Sequence, residues 1–351
     1  MEHVDVAVIG GGQAGLAAAH SLRLSGLRPV VLEASERTAG SWPRYYDSLT
    51  LFSPAGYSSL PGKPFGGRPD RYPRRDEVVA YLLRYADRLD AEIRTGTRVQ
   101  AVRAADGAFT VTLEDGGQLS ARGVIAASGT FGRPHRPALQ GLRDFTGTVL
   151  HAAEYRRPER FAGQRMVVVG AGNSAVQIAA ELAGHARVTL AARHPVRFAR
   201  QRTLGRDLHW WLKHTGIDTL PVGRLLRTPP TQPVIDDGRY RAAVAANAPD
   251  RRPVFTGIEC AKVTWADGYS EVVDTILLAT GYRPDLGYLA GLGALDTHGH
   301  PRHREGISLT HRGLAYVGLE WQRSLSSNSL RGAGRDAGRI ARIMAGFLRE
   351  R

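Results

Sequence analysis

The chain has 351 residues, 42% of them apolar and 23% charged, with 41 glycines; this composition excludes a disordered chain and suits two α/β domains of ordinary size. Its formal charge of +14 is dispersed and almost all arginine, without a dense polybasic tract, so it reads as phosphate binding and solvated surface rather than a nucleic-acid or membrane footprint. Cys260, the only cysteine, excludes an internal disulfide, a Cys-based zinc site and a Cys-x-x-Cys redox pair.

In chain order, a strand is predicted from Val4 to Ile9, with no signal peptide ahead of it. The turn Gly10-Gly11-Gly12-Gln13-Ala14-Gly15, an alanine-rich helix and a strand from Pro29 to Leu32 ending at Glu33 complete a βαβ unit. Alternating segments from Val99 to Ala127, broken by the hairpin signals Asp106-Gly107 and Asp115-Gly116, close on Ala127-Ser128-Gly129. The same succession then recurs. It comprises a strand from Met166 to Val169, the turn Gly170-Ala171-Gly172-Asn173-Ser174-Ala175, a helix to about Ala183 and a strand from Arg187 to Ala191 leading to Arg193. Arg206 to Lys213 reads as helix. The hairpin signal Asp267-Gly268 precedes an apolar strand, Val272 to Leu278, that closes on Ala279-Thr280-Gly281-Tyr282. A strand from Leu314 to Gly318 and a helix from about Ser329 to Leu348 follow, the helix carrying Ile340, Met344 and Leu348 on one face. No run approaches the ~18 apolar residues needed to span a bilayer, and a cytoplasmic protein is expected.

The expected fold class is α/β, with two Rossmann-like dinucleotide-binding domains. An NADPH domain at 159–271 is inserted into a discontinuous FAD domain at 1–158 and 272–351. Both glycine turns lie between a predicted strand and helix, which is the context that gives GxGxxG its meaning. Glycines let the backbone approach a pyrophosphate, and the helix start favours its charge. Gly10, Gly12 and Gly15, with Gln13 and Ala14, supply the first site, and Glu33 is placed to hold an adenosine ribose. Gly170, Gly172, Asn173, Ser174 and Ala175 supply the second, where Arg193, with Arg197 behind it, replaces the acid and suits a 2′-phosphate. Singly, these would be turn glycines and a surface arginine; the repeated βαβ context favours binding. NADPH is therefore assigned to the second unit. Its hydride needs an acceptor, and FAD is assigned to the first.

Trp210 and Trp211, with His209 and His214 nearby, are read as packing rather than catalytic residues. His298, His300 and His303 sit in a Gly- and Pro-rich loop without acidic or thiol companions, so no metal site is assigned.

The segment from Phe145 to Tyr155 fits the pattern FxGxxxHxxxY, and with it the chain resembles the class B flavin-dependent monooxygenases. Tyr155 is followed by Arg156, closer to the heteroatom-oxidising branch than to the Baeyer-Villiger branch. The resemblance implies that Phe145, Gly147, His151 and Tyr155 couple the two domains, that Gly40-Ser41-Trp42 contacts FAD, and that Asp47 to Pro54 runs beside the isoalloxazine. Asp274 to Tyr282 resembles DxxxLATGY, which brings Thr280 and Gly281 to the cofactors, as Gly129 does in the first unit. Ser326 to Gly332 resembles the segment that starts the last helix and aims it at the flavin. Ser53, where several better-known members place an Asn, and Asn328 become the catalytic candidates, the flavin itself carrying the chemistry. The implied reaction is reduction of FAD by NADPH and use of dioxygen, through a C4a-(hydro)peroxyflavin, to oxygenate a small organic substrate. That substrate and dioxygen are the expected partners, with no nucleic acid and no membrane span; a homodimer stays open.

Two other destinations for the electrons share these cofactors: a reductase of a protein partner or an NADPH oxidase, and a flavin redox sensor without catalysis. Cys260 alone gives a dithiol reductase no active-site pair.

Overall fold

The computed structural model describes residues 1–105, 107–226 and 232–350, so Asp106 of the first hairpin signal lies outside the described residues. Both ends of the chain build one sheet. Its order is His303–Arg304, Ile307–Ser308, Leu314–Tyr316, Gln118–Ala126, Glu2–Ile9, Pro29–Leu32, Glu92–Arg94, with the hairpin Val99–Ala105/Ala108–Leu113 attached to Gln118–Ala126. The central strand is buried on both faces: Val6 and Val8 enter one apolar cluster, Ala7 and Ile9 another. That is why it reads as a continuous apolar run and pairs in parallel on both sides. Helix α1 (Gln13–Leu24) and the long last helix pack together on one face, with Leu16 and Leu22 against Ala337, Ile340 and Met344.

The middle of the chain builds a second, all-parallel sheet in the order Asp250–Pro253, Arg187–Ala192, Arg165–Val169, Thr275–Leu278, Thr148–His151. Helix α2 (Arg75–Ala86) belongs to the first unit; α3 (Asn173–Leu182), α4 (Leu208–Thr215) and α5 (Arg239–Ala245) belong to the second, and α6 (Leu330–Arg349) returns to the first. α4 starts later than the pattern suggests because Asp207 caps it, its side chain accepting from the His209 amide, while Arg206–Asp207 pairs with Arg202–Thr203.

Two sequence readings need correction. The apolar run Val272 to Leu278 is not one strand. Ser270–Val272 ends a three-stranded antiparallel sheet and Thr275–Leu278 enters the parallel one, the break falling at Asp274, whose carboxylate accepts from the Arg165 amide. Alternation of apolar residues reports burial and is blind to such a change of sheet. The boundaries at 158 and 272 also move, because Thr148–His151 and Thr275–Leu278 lie side by side in the second sheet. The chain crosses between the sheets within 127–147 and 279–302. Both crossings meet as a short antiparallel ribbon, Arg133–Pro134 against Tyr282–Arg283.

Candidate cofactor cleft

A single cleft of about 1020 Å³ receives both glycine turns. The two turns are supported in the same way. A Cβ on Gly10, whose φ is +108°, would stand 2.6 Å from the Ala127 carbonyl oxygen; on Gly170, with φ +150°, it would stand 2.4 Å from that of Ala279. Each first glycine is thus required by the return segment packed beneath it. Gly15 serves the same end, since its Cβ would meet the Gly10 oxygen at 1.8 Å, so Gly15 acts from behind and does not line the cleft. Ala175 takes the corresponding place in the second unit and likewise stands outside the lining.

The middle glycines are different. Nothing lies within 4 Å of a Cβ placed on Gly172, and Gly12 would meet only Gly40, at 3.4 Å from its Cα. Gly12 and Gly172 are the N-caps of α1 and α3, neither helix has a side-chain cap, and neither has an acidic residue in its first turn. Bare backbone amides at two helix starts therefore face the cleft, which fits the pyrophosphates of two dinucleotides. The start of α6 joins them through Asn328, Ser329 and Arg331.

Glu33 is buried at the end of Pro29–Leu32 and lines the cleft. Its carboxylate accepts from the Gly11 amide at 2.6 Å and from the Ser35 amide and hydroxyl at 2.8 and 2.6 Å, which fixes its orientation beside the first turn. Sequence reasoning missed the neighbouring wall, Thr97 to Gln100, placed there because the Thr97 amide donates to the Glu33 carbonyl. Gln13 ties three segments: it accepts from Trp42 Nε1 at 3.1 Å and donates to the Asn328 carbonyl at 2.7 Å. Gly40, Ser41 and Trp42 line the cleft with Ala14, Asn173 and Ser174, and so do Gly129, Thr280 and Gly281 from the return segments. Ser53 lines it too, its hydroxyl 2.9 Å from that of Ser58.

Arg193 is exposed directly after Arg187–Ala192 and does not line the cleft, and Arg197 is also exposed. The sequence locates the strand end but not the direction of its side chains. Trp210, Trp211, His209 and His214 stand outside the lining as well. Across the units, Gln232 donates to Glu320 at 3.2 Å; desolvation raises the Glu320 carboxyl above its ordinary range, with the Gln232 hydrogen bond opposing.

Phe145, Gly147, His151 and Tyr155 each hold a different piece. Phe145 is buried in the second unit's core, and a Cβ on Gly147 would lie 2.6 Å from the Asp274 oxygen. His151 contacts the Gly281 carbonyl and stacks edge-on against Tyr282, and the Tyr155 hydroxyl donates to Glu181 of α3 at 2.8 Å.

Comparison with known proteins agrees with this geometry. The pyridine nucleotide-disulphide oxidoreductase family matches residues 7–216. The chain is 31% identical to a CzcO-like oxidoreductase of Geobacillus kaustophilus, over 96% of this chain and 97% of that protein. It is 32% identical to the indole-3-pyruvate monooxygenase YUCCA1 of Oryza sativa subsp. japonica, over 86% of this chain and 81% of the relative. Among solved structures, the flavin-containing monooxygenase from Stenotrophomonas maltophilia superposes with a TM-score of 0.87 at 33% identity, covering 99% of both chains. The chain is therefore a member of the class B flavin-dependent monooxygenases within that oxidoreductase family, an enzyme that uses FAD and NADPH.

Proposed function

We propose that the first unit holds FAD, that the second holds NADPH, and that the enzyme oxygenates nitrogen or sulfur in a small organic substrate. The observation that carries the cofactor assignment is the single cleft into which both glycine turns open. Bound there, the flavin would accept hydride from NADPH and activate dioxygen. The chain's own residues do the rest. The amides at Gly12 and Gly172 hold the pyrophosphates, Glu33 orients the first ribose, and Arg193 binds the 2′-phosphate of the second cofactor. The start of α6 offsets negative charge on the flavin ring, and Ser53 and Asn328 face the same space as hydrogen-bonding groups. Oxidation at nitrogen or sulfur is favoured by the Tyr155-Arg156 ending of the linking segment. A cytoplasmic enzyme is proposed; among the described residues no helix is long and apolar enough to cross a membrane.

The test is anaerobic reduction of the purified flavoprotein with NADPH, followed by mixing with oxygenated buffer containing an amine, a sulfide or a ketone. The expected result is a transient near-ultraviolet band before the oxidised flavin returns, with an N-oxide or S-oxide as product. Ester formation from the ketone, with no reaction at nitrogen or sulfur, would overturn the heteroatom assignment. Prompt, stoichiometric hydrogen peroxide in every case would move the reading to an NADPH oxidase.

A further inference from the structure

Phe52 lines the cleft, yet what holds it lies in the other unit. Asp207, the N-cap of α4, is a hub. Its Oδ2 accepts from the Tyr72 hydroxyl and from Gln201 Nε2, both at 2.6 Å, and its Oδ1 accepts from the backbone amide and from Nδ1 of His209, both at 2.8 Å. Gln201 Nε2 also donates to the Phe52 carbonyl at 3.0 Å. The His209 ring, whose side chain is only 1% exposed, stacks on the Phe52 ring at 6.0 Å between centroids with 23° between planes, and lies 6.2 Å from Tyr57. Phe52 is therefore gripped at its backbone and at its ring by residues 149 and 157 positions further along the chain. Desolvation pulls the Asp207 carboxyl upward, but His209, Tyr72 and Gln201 outweigh it and hold the group below its ordinary value, so the hub is an anion.

We propose that Asp207, acting through His209 and Gln201, is a positioning residue that fixes Phe52 as a wall of the cleft beside the flavin and keeps water from it. This rests on the first unit holding FAD. A hydrogen-bonded carboxylate with four donors is costly to bury and would be wasted on a surface loop; here it locks a first-unit side chain to a second-unit helix. Ser53 follows Phe52 directly, its hydroxyl 2.9 Å from that of Ser58.

A double-mutant cycle on the flavin-loaded enzyme tests it, using Asp207→Asn, Phe52→Ala and the pair. Two quantities are read: the visible absorption spectrum of the resting flavin, and the rate at which NADPH-reduced flavin is reoxidised by dioxygen. Each single variant is expected to shift the spectrum alike and to speed reoxidation about tenfold, with the double variant no faster than Phe52→Ala alone. Effects that multiply, or an Asp207→Asn variant with the parent spectrum and rate, would overturn the proposal. Tyr72→Phe, which removes one donor from outside the helix, carries the same cycle if Asp207→Asn does not retain flavin. Fast reoxidation in the parent enzyme would instead count against the monooxygenase reading, and the spectral cycle alone then judges the cluster.

Discussion

His151 Nε2 lies 3.0 Å from the Gly281 carbonyl oxygen, joining the strand Thr148–His151 to the segment that leaves Thr275–Leu278. Its Nδ1 accepts from the Ala153 amide at 3.1 Å, so the proton sits on Nε2 and the buried ring is neutral. Desolvation lowers its pKa below 6.5, with the Gly281 hydrogen bond opposing. The unfolded chain takes up this proton first as pH falls, so the stability His151 contributes is full above about 6.5 and is lost toward its lower folded value. His151→Gln should therefore melt below the parent at about pH 7.5, and the gap should narrow by about pH 5.5. A gap independent of pH, measured by circular dichroism, would refute the neutral ring.

The glycines divide into two classes with opposite expectations. Gly10→Ala and Gly170→Ala should each destabilise the fold by about 2 kcal/mol or more, through clash and positive φ. Gly12→Ala and Gly172→Ala have room and ordinary backbone angles, so the apoprotein should melt within a few degrees of the parent. The first should emerge colourless and the second should bind flavin but show a raised KM for NADPH. Loss of folding in either of the latter pair would contradict the open space seen at those positions.

Arg193 is exposed directly after its strand, where its guanidinium can meet a phosphate. Arg193→Ala should raise the KM for NADPH about tenfold while leaving that for NADH nearly unchanged. Steady-state flavin reduction with both coenzymes decides it, since equal effects on the two would remove the arginine from the 2′-phosphate.

Glu271 clamps the floor of the second sheet. Its carboxylate accepts from Arg165 Nε at 2.7 Å, from Nη2 at 2.5 Å and from Trp265 Nε1 at 2.9 Å. Desolvation would raise its pKa, but Arg165 and Trp265 prevail and hold it below 4.5. Its stabilising effect is therefore complete above about pH 4.5 and fades as pH drops through the lower folded value. Glu271→Gln should cost about 2 kcal/mol in urea unfolding at about pH 7, and less in acid.

The local features were legible in the sequence. Gly15 is constrained by Gly10 and Val8 inside the same βαβ unit, so the glycine spacing announces the turn even though the segments beneath Gly10 and beside Gly12 come from Ala127 and Gly40. What could not be read depends on distant partners. Nothing near Asp207 in the sequence indicates that Tyr72, 135 residues earlier, will donate to it. Thr97 reaches the cleft only because strand pairing carries it beside Glu33, and the break at Asp274 exists because two sheets meet there. Tertiary pairing, rather than local propensity, decided those positions.

The ribbon of Arg133–Pro134 and Tyr282–Arg283 bears on how the halves can travel. Because both crossings run side by side and are hydrogen-bonded, with Thr280 donating to the His135 carbonyl at 2.5 Å, they act as one strap instead of two independent tethers. A strap bends and twists but does not lengthen, so any displacement of the second unit is a rotation pivoted there. Such a swing would have to break bonds that join the units, among them Tyr46 to Gln177, Tyr72 to Asp207 and Arg331 to Asp218. With NADPH on the second unit, as proposed, its nicotinamide would swing about that strap.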